Sequence, residues 1–152
     1  MIRIMLSIAF SFLFMLTLNN AAQAQQVVAQ CGASKGQMVY LDRNKLKWEE
    51  DGITNGSITF LRLPNGKFDI ITKDAMSAFS YAGDGAKIVG LEEGSDKKTF
   101  IAIHSSTVVE VFQLTLFQNG GGTLIWTATK NKSSNALITK GSLFTASCSP
   151  TR

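Results

Sequence analysis

A single histidine, His104, and only two cysteines, Cys31 and Cys148, restrict the chemistry open to this chain. Every histidine-dependent scheme must pass through His104. No Gly-x-Ser-x-Gly elbow accompanies it, and no Ser-x-x-Lys reading is supported by a second motif. There is no Cys-x-x-Cys, and His104 lies far from either cysteine in sequence, so the thioredoxin-like and zinc patterns are both missing. Phosphate-loop, dinucleotide and calcium-loop spacings are absent as well, and the glycines at 120–122 fit a hairpin turn instead. Neither a metal nor an organic cofactor is therefore expected. Charge is sparse and mixed: 15 Lys and Arg against 11 Asp and Glu give a net +4, with no basic block of the kind that grips nucleic acid.

What is present starts with an address. Arg3 precedes an apolar run over 4–18, interrupted only by Ser7, Ser11 and Thr17, and the segment ends in Ala22-Gln23-Ala24. This is the pattern of a secretory signal helix with a small-x-small cleavage site. The run falls short of the about 20 apolar residues that cross a bilayer, so cleavage after Ala24 is expected rather than anchorage. Val28-Ala29-Gln30-Cys31 imitates a lipobox, but Gln30 stands where a small residue is required. The reading is thus a signal peptide at 1–24 and one domain at 25–152, periplasmic or extracellular. Arg3 is the only charge in the leader, so a small positive charge remains on the domain.

In an oxidising compartment two lone cysteines near opposite ends of a domain most simply pair, and a Cys31–Cys148 disulfide would staple the first strand to the last. Between them the pattern is almost wholly extended. Ile58 and Phe60 lead through Pro64-Asn65-Gly66 to Phe68 and Ile70, a hairpin. Residues 77–82 and 87–92, joined by Gly83-Asp84-Gly85, suggest a second one. Strands are expected at 37–42, 100–104, 107–118, 123–130 and 139–148. In the long one the apolar face switches near Glu110, which predicts a bulge there. Leu124, Trp126 and Ala128 point inward, as do Phe144, Ala146 and Cys148, with Thr123, Thr127 and Thr129 outward. Residues 42–55 lack strand character; Leu41, Lys45 and Trp48 would share a helical face, and the segment is read as a loop or short helix whose Trp48 plugs the core.

The sum is an all-β fold, a single antiparallel meander closed into a small β-barrel of eight or nine strands, with a β-sandwich as the alternative. The outward Thr, Asp and Lys do not form the continuous apolar band of an outer-membrane barrel, so no membrane-crossing segment is expected after residue 24.

Candidate site residues are few. His104 alternates with Ile101 and Ile103 and belongs to the face of Phe100 and Ala102. Glu110 sits between Val108 and Phe112 in an apolar strand, the carboxylate best placed for burial. Glu49, Glu50 and Asp51, and Glu92, Glu93 and Asp96, supply turn carboxylates that would pair with it in a hydrolase. Tyr40, Trp48 and His104 are the groups that would recognise a ligand at a barrel rim.

Cys31-Gly32-Ala33-Ser34-Lys35-Gly36, Trp48-x-x-Asp51-Gly52-Ile53, Val109-Glu110, Leu124-Ile125-Trp126-Thr127 and Lys140-Gly141-Ser142-Leu143 before Cys148 resemble a group of small exported bacterial proteins. That resemblance spans most of the domain and supplies no activity or site residues. In architecture the pattern is similar to lipocalin-type and lysozyme-inhibitor barrels, although Leu46 stands where the lipocalin Gly-x-Trp has its glycine.

The reading is therefore a soluble, monomeric, non-enzymatic binding protein. Its ligand would be a small apolar molecule, an envelope polymer or a lysozyme-like protein. The alternatives are a small cell-envelope hydrolase using Glu110 and a loop carboxylate, and a structural envelope protein that self-associates through a strand edge.

Overall fold

The computed structural model describes residues 24–105, 107–131 and 139–150. Apart from Ala24, the signal helix lies outside the described residues, and so does Ser106 in the expected 105–106 turn.

The chain is all-β. Its strands are β1 (Gln26–Cys31), β2 (Ser34–Asp42), β3 (Lys45–Ile53), β4 (Ser57–Arg62), β5 (Phe68–Lys73), β6 (Ala78–Ser80), β7 (Lys87–Glu93), β8 (Lys97–Ser105), β9 (Val108–Leu116), β10 (Gly122–Lys130) and β11 (Lys140–Pro150). They form one antiparallel sheet in the order β6-β5-β4-β1-β11-β10-β9-β8-β7, with the β2–β3 hairpin branching from β11. No helix among the described residues is long and apolar enough to cross a membrane.

The long strand β11 organises this arrangement. Its second half pairs with β1 and its first half with β2. Gly32 bridges the two by donating its N–H to the Ser147 carbonyl. Beyond that point β1 continues to β4, whereas β2 turns back as β3. The sheet therefore forks, and it curls into an open half-barrel with free edges at β6 and β7.

A closed meander of eight or nine strands is thus corrected to an open sheet of eleven, and a single sheet also removes the sandwich. Closure fails because side chains occupy the seam. The Phe68 ring of β5 lies where a Cβ on Gly90 of β7 would stand, 2.4 Å from the ring atoms. Beside it Arg62 pairs with Glu92, and its guanidinium covers the Phe68 ring at 4.7 Å.

Two local expectations also change. Residues 45–53 form a strand, not a loop or helix, because Arg43 and Asn44 both adopt positive φ (47° and 64°) and close a tight two-residue hairpin. Trp48 consequently stands 69% exposed and plugs no core. Residues 77–82 and 87–92 do not pair with each other: β6 pairs with β5, and β7 with β8. The turn between them is pinned to β5 instead, where Asp69 accepts bonds from Ser80 Oγ and the Ala82 N–H, and the chain then crosses to the opposite rim.

The concave face is filled. Phe60 stacks on Phe100 at 4.9 Å and meets Phe112 edge-on at 5.8 Å; Phe112 stacks on Trp126 at 5.3 Å, and Trp126 contacts Phe144 at 4.7 Å. Cys31 and Cys148 face each other in the β1–β11 register and form the disulfide. The expected inward rows of β10 and β11 hold. On the convex face Val89, Ile101, Val111 and Thr127 follow one another across four strands, a more aliphatic surface than the sequence reading expects.

Candidate functional site

Glu110 is the most deeply buried acid among the described residues, 1% exposed, ahead of Asp69 on β5. The ladder between β9 and β10 runs without interruption past it, so the expected bulge is absent there; the irregularity lies in β8, between Ile103 and Ser105. Val108, Glu110, Phe112 and Leu114 form one inward row, and the apparent switch of face arises because Val109 and Val111 cover the convex side. A glutamate occupies a core position in that row.

Its neighbours explain how it fits. Ala102 on β8 and Ala128 on β10 are its direct cross-strand partners, and both are buried. Two methyl groups leave space on either side, so the carboxylate reaches the diagonal positions. Glu110 Oε2 accepts a bond from Trp126 Nε1 at 2.9 Å, and Oε1 faces Lys130 Nζ at 3.1 Å. A third donor arrives from the opposite rim: Tyr81, just after β6, gives its hydroxyl proton to Oε2 at 2.9 Å. A buried carboxylate is tolerated only with such partners.

Aromatic rings wall the space above. Tyr81 lies 4.9 Å from His104 and 5.0 Å from Phe79, with Phe79 and His104 5.9 Å apart. Together with Asp84, Val108, Trp126 and Lys130 these groups line a recess of about 450 Å³ at the open end of the half-barrel. A smaller cavity of about 100 Å³ adjoins it, sharing Trp126 and Lys130 and adding Asp51, Lys140 and Ser142. Lys140 pairs with Asp51 at 3.5 Å. Ser142 Oγ is the buried side-chain oxygen without a hydrogen-bond partner among the described residues.

Burial, reinforced by the Glu110 charge and hydrogen bond, raises the Tyr81 hydroxyl far above the usual tyrosine range. His104 is lowered from its ordinary value, first by burial and then by Lys130, with Glu110 and Asp84 opposing. The site thus favours a neutral imidazole and a protonated phenol beside the Glu110–Lys130 contact.

Of the residues singled out from the sequence, His104 and Glu110 line the same recess. Tyr40 and Trp48 do not join them. They occupy opposite faces of the β2–β3 hairpin, since Tyr40 pairs with Lys47 and Trp48 with Val39. The Tyr40 hydroxyl donates to Glu49. Glu92 is held at the seam by Lys98 and Arg62, which lower it from the usual carboxylate value. The carboxylate that does line the recess with Glu110 is Asp84, in the turn after Tyr81.

Tyr81, Asp84, Trp126 and Lys130 escape sequence reasoning as site residues. The inward parity of Trp126 is visible in the alternation of β10, but its diagonal relation to Glu110 depends on a register that only the paired strands reveal. Among the described residues no three or more His, Cys, Asp or Glu side chains come together in a way that would hold a metal ion.

No family model matches this chain, and no curated protein or solved structure matches it either.

Proposed function

We propose that this chain is an exported, non-catalytic binding protein that seats a neutral polyhydroxylated ring, one saccharide unit of an envelope glycan, in the Glu110 recess. The observation that carries the reading is the Glu110 constellation itself: a buried acid with three donors at the base of an aromatic-walled recess. Aromatic faces suit the C–H face of a sugar ring, while the carboxylate, ammonium, imidazole and hydroxyl groups suit its edge. Charge argues against an anionic ligand, because Glu110 is matched by Lys130 and Asp51 by Lys140, while Asp84 adds a carboxylate with no ion pair among the described residues. Among the described residues stacked aromatic rings fill the centre of the concave face, so the Glu110 recess is where a ligand has room. Export rests on the leader at 1–24, with the disulfide in keeping with an oxidising compartment.

The Trp126 indole N–H reports directly on this site. Titration of neutral oligosaccharides, fatty acids and lysozyme into the isotope-labelled protein should shift the Trp126 indole signal only with the oligosaccharides, leaving Trp48 in place. No shift with any glycan would sink the proposal. Asp84 beside Glu110 keeps the hydrolase as a second reading, and appearance of new reducing ends in the same titration would favour it.

A further inference from the structure

We infer that β3 is a dimerisation edge and that two copies of this chain join by antiparallel pairing of β3 with β3, across a twofold axis at Trp48. This goes beyond the ligand reading and stands independently of it. The sequence reading expects a monomer, with self-association through a strand edge as an alternative; the geometry of one strand favours association.

Among the described strands β3 pairs with β2 alone. The hairpin closes on Asp42 and Lys45 through the two positive-φ residues Arg43 and Asn44. In such a hairpin the closing pair exchanges hydrogen bonds and the pattern alternates, so Lys45, Lys47, Glu49 and Asp51 bond inward to β2. The N–H and C=O groups of Leu46, Trp48 and Glu50 therefore point to the free edge. Gly52 marks its end, since its N–H is taken by the Asp51 carboxylate at 2.8 Å. Leu46 and Trp48, each 69% exposed, stand on this edge. An unpartnered edge of this kind is a template for another strand.

Charge selects the partner and the register. Antiparallel self-pairing that matches outward groups to outward groups allows steps of two residues in the pairing. Centring on Lys47 sets Lys47 against its own copy, and centring on Glu49 does the same with Glu49. Centring on Leu46 opposes Lys45 to Lys47, and centring on Glu50 opposes Glu49 to Asp51. Centring on Trp48 alone avoids every like-charged pair: Lys47 meets Glu49 and Lys45 meets Asp51, each twice by symmetry. These fall at the non-hydrogen-bonded positions, where side chains approach most closely. On the other face Trp48 meets Trp48, flanked by Val39, its neighbour within each hairpin. Edge lysines that only repel a second strand would not be followed by an acidic half of matching length. The interface is isologous and closes as a dimer.

Sedimentation equilibrium of the oxidised protein tests this, with Trp48 fluorescence as a local probe. The wild type should dimerise reversibly, Trp48 should shift to the blue as it does so, and added salt should weaken the association. K47E places like charges at two symmetric pairs and should weaken the dimer about tenfold. K47E/E49K restores opposite charges and should recover it. A wild type that stays monomeric at every concentration overturns the inference. So does a dimer that K47E leaves unchanged, or one that the double swap fails to rescue. The Trp126 indole signal checks that each variant keeps its fold, and because Trp126 and Trp48 lie in different places, failure of this interface is distinguishable from failure of the ligand reading.

Discussion

Glu110 and Ala128 stand directly opposite each other on β9 and β10, and the small size of one is what admits the other. A larger side chain at 128 would occupy the space through which the carboxylate reaches Trp126 and Lys130. Ala102 plays the same part on β8. The buried acid therefore depends on two alanines as much as on its three donors.

Removing the acceptor should be costly. Glu110→Ala strands the Tyr81 hydroxyl and the Trp126 indole N–H in a buried site and leaves Lys130 without its counter-charge, which should lower stability by about 3–5 kcal/mol. Glu110→Gln keeps one oxygen for the donors on Oε2 but turns an amide N–H₂ toward Lys130, so about half that loss is expected. Urea denaturation followed at Trp126 measures both. An alanine variant within about 1 kcal/mol of wild type would show that these bonds contribute little net stability.

Stability should also fall on mild acidification. Burial lowers His104 in the fold, so the unfolded chain takes up a proton first as pH drops through the ordinary histidine value near 6.5. The stabilisation is complete above that pH, declines as pH falls toward the lower folded value, and then levels off. Glu92 and Asp74, both lowered in the fold, add a separate loss only in the more acidic carboxylate range. His104→Phe should abolish the first decline and keep the second. A variant that retains the decline above pH 5 would assign it to another group.

The open seam makes a third prediction. Gly90 faces the Phe68 ring, which is held edge-on against Phe100 at 5.2 Å and under the Arg62 guanidinium. With its Cβ 2.4 Å from ring atoms, Gly90→Ala must push Phe68 outward and should destabilise by about 1–3 kcal/mol. Phe68→Leu removes the obstruction, so Gly90→Ala should cost less in that background. Additive effects in this double-mutant cycle would mean that the two residues do not share the seam.

Most of the strands were legible because their inward rows are apolar and their turns carry Gly, Asn or Asp. The β4–β5 hairpin and the inward residues of β10 and β11 follow directly from alternation. β3 was illegible for a definite reason: an edge strand wet on both faces has no apolar row, and Lys45 to Asp51 alternates nothing that a core would select. The 77–92 hairpin misled because Gly83-Asp84-Gly85 does turn the chain, but Asp69, distant in sequence, decides where the turn is anchored. Closure misled because adjacency of β1 and β11 looks like a meander meeting itself, whereas β1 is inserted between β4 and β11. At the site, His104 and Glu110 could be suspected singly. Tyr81 reaches Glu110 from the opposite rim, a relation no local pattern encodes.

That insertion of β1 gives the disulfide its consequence. Cys31 and Cys148 are 117 residues apart in sequence, so the bond restrains nearly all of the unfolded domain. The chain-entropy model assigns about 4–5 kcal/mol to a loop of that length. Cys31→Ala with Cys148→Ala, which buries no new polar group, should therefore lower stability by about 2–5 kcal/mol in urea. The loss should not be spread evenly. β4, β5 and β6 attach to the rest of the sheet through β1, while β7 to β10 attach to β11 by long ladders of their own. Hydrogen exchange in the double variant should accelerate first in β4 to β6, with β9 and β10 protected until global unfolding. Uniform acceleration across all strands would place the bond's effect in the unfolded state alone, without a role in holding the fork of the sheet together.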